Sequence, residues 1–146
     1  MNGYMGKLLR INLTTGQIKT EGLDPKLARD YIGGAGLGTR ICYNEIPPNA
    51  DPLGPENKLI FLTGPLTATR FPTSARYEVC TKSPLTGIWV DASSSGYWGA
   101  QLKTAGFDGI IAEGISPKPV TLWIKDGHAE LRDASAIWGK DSFEAQ

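Results

Sequence analysis

Apolar positions in this chain come in short runs whose period changes every few residues. Leu8, Leu9, Ile11 and Leu13 give 7–13 enough alternation for a β-strand. Thr14-Thr15-Gly16 turns it back into 17–20, with Gly16 where left-handed geometry is needed, so the chain opens on a short hairpin. Asp24-Pro25 then starts a helix, a capping carboxylate followed by Pro at the first helical position. Leu27, Ala28, Tyr31 and Ile32 recur at helical spacing, and Gly33 and Gly34 end the segment. A second helix is expected over 37–45, with Leu37, Ile41 and Cys42 on one face, stopped by Ile46-Pro47-Pro48.

Residues 49–57 read as loop, and 58–63 as a buried strand closed by Gly64-Pro65. Further strands are predicted over 75–81 and 88–90, then a helix over 97–104 with Gly106 as its C-cap. The remainder is mostly β: 109–113, then 120–124 and 128–131 around Asp126-Gly127, the strongest hairpin signal in the chain. Residues 142–146 read as the first turn of a helix whose body is missing, which suggests a fragment truncated within its last element. Gly64-Pro65-Leu66-Thr67 and Ser83-Pro84-Leu85-Thr86 echo each other once and read as two similar turns, not as a repeat array.

Composition sharpens this picture at one point. Eighteen glycines and ten prolines are spread along all 146 residues, the mark of many short elements joined by tight turns. Fifteen acidic and fifteen basic residues balance, which excludes nucleic acid as a partner. No run approaches the roughly 18 apolar residues of a membrane span, and no apolar signal segment follows Met1. A soluble, cytoplasmic protein is therefore expected. Cys42 and Cys80 form neither a disulfide framework nor a metal-ligand pattern, although a single buried pair stays open.

The chemistry concentrates in Arg76-Tyr77-Glu78 and in Asp91-Ala92-Ser93-Ser94-Ser95-Gly96-Tyr97-Trp98. Arg76 and Glu78 fall on one side of the predicted strand, Tyr77 and Val79 on the other. Arg76 reads either as a bidentate partner for phosphate, or as a solvent-facing Arg paired with Glu78 or another carboxylate. Ser93, Ser94 and Ser95 precede a helix, so one of them is expected to cap it, while spare hydroxyls and N–H groups suit an anion. Gly33-Gly34-Ala35-Gly36-Leu37-Gly38 lacks the register of a dinucleotide loop and follows a helix where a strand is required. Lys82 reads as a solvated turn lysine or a phosphate contact, His128 as exposed, and the four tryptophans as core or interface residues. No catalytic set and no metal-ligand spacing appears.

The order of these blocks resembles the N-terminal domain of the aldehyde ferredoxin oxidoreductases, tungsten enzymes with a bis-pterin cofactor. Pro55-Glu56-Asn57-Lys58-Leu59, Thr81-Lys82-Ser83-Pro84-Leu85-Thr86-Gly87, Lys103-Thr104-Ala105-Gly106-Phe107-Asp108 and Ile137-Trp138-Gly139-Lys140 also look like blocks of that family, and the likeness runs over 1–146. It implies an α+β fold: a β-rich domain of two sheets forming a saddle-like base for the cofactor, with a few short helices. It implies cofactor contacts by Arg76, Ser93, Ser95 and Gly96, and a magnesium ion bridging the pterin phosphates. Tungsten or molybdenum would carry the chemistry. A [4Fe–4S] cluster would be bound further along the chain, and ferredoxin or another electron carrier would be the partner, in a homo-oligomer or multi-subunit complex. The implied reaction is aldehyde oxidation to a carboxylic acid, with no catalytic residue in this segment.

Two departures stand out. Ser93-Ser94-Ser95-Gly96 occupies the place of an Asn-Ser-Gly-Gly block, so Ser93 replaces an amide that helps hold the magnesium bridge, and Ser95 replaces a glycine. These changes suit a divergent branch, such as tungsten subunits that reduce aromatic-ring thioesters. A non-catalytic scaffold module is the remaining alternative. By itself the segment is expected to be marginally stable and to expose considerable apolar surface.

Overall fold

The computed structural model describes residues 2–145; Met1 and Gln146, the last residue of the expected C-terminal turn, lie outside them. Six strands form one sheet: β1 (Lys7–Asn12), β2 (Gln17–Gly22), β3 (Lys58–Thr63), β4 (Tyr77–Lys82), β5 (Trp89–Ser94) and β6 (Gly109–Glu113). Their order is β2-β1-β6-β3-β4-β5, and only β1 and β6 run parallel. A second sheet is the hairpin of β7 (Val120–Lys125) and β8 (His128–Asp133). Three helices, α1 (Pro25–Tyr31), α2 (Gly34–Glu45) and α3 (Trp98–Thr104), complete the α+β fold that the sequence implies.

Strand alternation explains the layering. Adjacent apolar residues on one strand point to opposite faces. Leu8, Ile60, Leu62, Cys80 and Ile111 therefore pack with Leu23, Ala28, Leu37 and Ile41 of the α1–α2 layer. Leu9, Ile11, Phe61 and Ile110 face the other way, onto Leu102 of α3 and Leu122, Ile124 and Leu131 of the hairpin. The central strands are apolar on both faces, as a sheet covered twice requires. Edge strand β5 is exposed along almost its whole length.

Local signals act as their chemistry dictates. The Asp24 carboxylate accepts the Lys26 N–H at 2.8 Å and Pro25 opens α1. Asp126 and Gly127 both have positive φ, 50° and 80°, the mirror-image turn a twisted hairpin needs. Over 141–145 the Asp141 carboxylate accepts N–H bonds from Phe143 and Glu144 at 2.9 Å, and the described residues form a turn and not a helix.

Two expectations shift. α2 begins at Gly34, not Leu37, so the glycine run forms its first turn. A Cβ at Gly38 would lie 2.4 Å from Cys80 Sγ, and one at Gly34 would lie 3.0 Å from Glu78 Cγ. The glycines let the helix lie directly on β4, which outweighs their low helix propensity. Second, β4 starts at Tyr77 and β5 runs through Ser94. Arg76 thus stands just outside its predicted strand, and Ser93 and Ser94 lie inside one.

At the opposite end of the sheet, charges tie four strands to the end of α2. Arg10 bonds Glu21 at 3.1 Å and forks onto both Glu45 oxygens at 2.8 and 3.0 Å. Lys58 bonds Glu113 and lies 3.7 Å from Glu45.

Candidate functional site

The β4–β5 ladder ends at the pair Tyr77↔Ser94, with Glu78↔Ser93 just inside it. The pairing stops there, so Arg76 and Ser95 each stand one residue past the end of the ladder. Gly96, with φ of 98°, then bends the chain into α3, and nothing lies within 4 Å of where its Cβ would be. The four residues singled out in the sequence, Arg76, Ser93, Ser95 and Gly96, therefore share one exposed corner of the sheet. Among the described residues the Arg76 guanidinium forms no ion pair, so the pairing with Glu78 is not made.

The expected serine cap is not there. The N-cap of α3 is Tyr97, in helical geometry and with no side-chain capping bond. The ladder has taken up Ser93 and Ser94, and Gly96 separates Ser95 from the helix. With only seven residues, α3 offers little dipole, so anion binding at this corner falls to side chains and to the N–H groups of the bend.

What makes the corner rigid lies behind it. Thr67 Oγ donates to the Arg76 carbonyl at 3.1 Å and accepts the Gly64 N–H at 3.2 Å. The Gly64 carbonyl in turn accepts from Lys103 Nζ at 2.9 Å. Lys103 is only 3% exposed; it also bonds the Gly3 carbonyl and lies 3.6 Å from Asp108, whose carboxylate accepts the N–H groups of Met5 and Gly6. Burial pushes the Lys103 ammonium below its ordinary range, and Asp108 opposes that shift. Gly99 admits Thr67, Tyr77 and Thr63 to within 3.4–3.6 Å of its missing Cβ, and the Trp98 ring lies 4.4 Å from that of Tyr77. Backbone bonds and aromatic contact thus lock α3 and the 64–67 turn to the start of β4.

Glu78 is the residue the sequence named only as a charge partner. Ser93 Oγ donates to its Oε1, while its Oε2 is shut off from solvent and has no hydrogen-bond partner among the described residues. A buried carboxylate oxygen left unbonded is costly and marks a place where a donor or a cation belongs. An unpaired guanidinium, open space at Gly96 and this orphaned oxygen together fit a ligand carrying both phosphates and a metal ion. These residues would fit the pterin phosphates and bridging magnesium that the family resemblance implies.

Other candidates find ordinary roles. Lys82 Nζ donates to the carbonyls of Pro48 and Ala50 at 2.7 and 2.8 Å, so it is neither free nor a phosphate contact. His128 is exposed beside its hairpin turn. Cys42 and Cys80 are free, buried thiols, pushed up to about 11 and about 12 by burial. Both echo motifs are turns, closed by Thr67 Oγ in one and by Ser83 Oγ, which accepts the N–H groups of Leu85 and Thr86, in the other. A cleft of about 800 Å³ between the hairpin and the sheet is lined mainly by apolar residues such as Phe61, Trp98, Leu122 and Trp123. No group of three or more His, Cys, Asp or Glu able to hold a metal occurs among the described residues. None of the described helices is long and apolar enough to cross a membrane.

Comparison with known proteins points the same way. The family described as aldehyde ferredoxin oxidoreductase, N-terminal domain, matches residues 8–146. Tungsten-containing aldehyde ferredoxin oxidoreductases from Pyrococcus furiosus and Thermococcus kodakarensis are 52% and 54% identical to the chain over its full length. The chain spans only 24% of each of these curated relatives. A solved structure, the active-site complex BamBC of benzoyl coenzyme A reductase with 1,5-dienoyl-CoA, superposes with a TM-score of 0.96 at 38% identity. That match covers 99% of this chain and 22% of the other.

Proposed function

Because the chain belongs to the aldehyde ferredoxin oxidoreductase family, as its N-terminal domain, we propose that it cradles the bis-pterin cofactor of a tungsten oxidoreductase. That enzyme oxidises aldehydes to carboxylic acids and hands the electrons to ferredoxin. The observation that carries this reading is the 52% identity, over the entire chain, to a tungsten-containing aldehyde ferredoxin oxidoreductase. When bound, the metal–pterin group supplies the redox chemistry, while the protein orients and shields it.

The chain's own residues bind and position. Arg76 presents five N–H donors in a planar fork, with a carbonyl anchored by Thr67, and takes a pterin phosphate. The backbone N–H groups of Ser95 and Gly96 would add donors for the cofactor's phosphates. Ser93 would help hold the magnesium. The Tyr77 and Trp98 rings pack against each other beside the corner. The [4Fe–4S] cluster and the substrate cavity belong to the rest of the enzyme, a cytoplasmic protein.

A second reading, reduction of an aromatic-ring thioester, is favoured by the serines at 93 and 95 and by the likeness to the BamBC complex. Anaerobic assay of the full-length protein separates the two. Aldehyde-dependent reduction of ferredoxin is expected. Oxidation of a dienoyl thioester without any aldehyde activity would transfer the assignment to the second reading.

A further inference from the structure

A hydroxyl owns a single proton, and a carboxylate can only accept. Ser93 Oγ bonds Glu78 Oε1, so its proton points inward and only lone pairs face out of the corner. In that state Ser93 cannot donate to a phosphate oxygen. It can accept from a metal-bound water or touch a cation directly. Gly34, the first residue of α2, comes close to the Glu78 stem, so close that a Cβ there would sit 3.0 Å from Glu78 Cγ. The second Glu78 oxygen, buried and unbonded, adds negative charge beside Ser93 that no donor among the described residues offsets.

We infer that Glu78 is a positioning residue that fixes Ser93 as an outward-facing acceptor, so that the Ser93–Glu78 pair holds hydrated magnesium while Arg76 takes phosphate. This rests on the cofactor reading above and assigns polarity within it. It also explains how a serine serves where an amide stands in related enzymes. The Asn carbonyl is an acceptor by its bonding, whereas a serine becomes one only when its proton is tied down.

The test uses the full-length, tungsten-loaded enzyme and counts magnesium, tungsten and pterin per chain during timed exposure to a chelator. Wild-type enzyme is expected to retain magnesium. Glu78→Gln is expected to lose it at least tenfold faster with tungsten and pterin unchanged at the outset, since its amide can donate to Ser93 and free the hydroxyl proton. Ser93→Ala is expected to lose it similarly, and the double variant to be no worse than Ser93→Ala alone, because Glu78 acts through Ser93. Ser93→Asn in the Glu78→Gln background is expected to restore retention. Magnesium held as in wild type by Glu78→Gln, or additive losses in the double variant, overturns the inference. If Glu78→Gln does not fold, the exposed Ser93→Ala decides, and undiminished magnesium there overturns it equally. Wild-type enzyme carrying two pterins but no magnesium strikes down the bridging-ion reading itself, and this inference with it.

Discussion

Arg76 is exposed, forms no ion pair among the described residues, and is held in place through its backbone carbonyl. Its side chain therefore contributes little to folding and is free to bind. Arg76→Gln in the full-length enzyme should lower pterin and tungsten per chain at least tenfold while moving unfolding stability by no more than about 0.5 kcal/mol. Metal analysis beside thermal unfolding checks both halves; a large stability loss would make the residue structural. The sequence located this residue but not its support. Thr67, Gly64 and Lys103 lie in turns and helices distant along the chain, and no local pattern announces that a lysine will be buried on two carbonyls. Glu78 was legible only as a neighbour on the same side of a strand. Its true partner, Ser93, follows from the β4–β5 register.

At the scale of elements, the strongest signals were chemical: Asp24-Pro25, Gly16, Asp126-Gly127 and the double apolar runs of central strands all act as expected. The start of α2 was missed because glycine reads as a breaker unless a close approach demands it. That approach gives a prediction: Gly38→Ala drives a methyl into Cys80 and should cost about 1–3 kcal/mol in unfolding free energy. A neutral result would mean that α2 does not lie on β4 as described. The charged network makes a second one. The hydrogen bond from Lys58, with its charge and that of Arg10, holds the Glu113 carboxyl below the ordinary 4.5. A depressed carboxylate contributes stability above 4.5 and loses it as pH falls through the folded value. The melting temperature should therefore drop as pH is lowered below 4.5, and Glu113→Gln should flatten that drop. An unchanged slope would remove Glu113 from the network's energetics.

For the molecule as a whole, the order of strands was not legible. Pairing β1 with β6 in parallel brings together segments about a hundred residues apart, and nothing local encodes it. The edge strand β5 and its flanks leave Leu85 92% and Tyr97 86% exposed, with Ile88, Trp89 and Val90 between them. An uncovered strand edge beside apolar side chains is a docking or aggregation surface. Residues 1–146 produced alone should accordingly bind a hydrophobic dye and unfold at modest temperature. High-temperature cooperative unfolding without dye binding would show that this surface needs no cover. The cradling of a tungsten bis-pterin by the Arg76 corner is tested by metal and pterin analysis of the full-length protein purified anaerobically from its own host. Tungsten with two pterins per chain is expected; a preparation holding neither metal nor pterin would overturn that role.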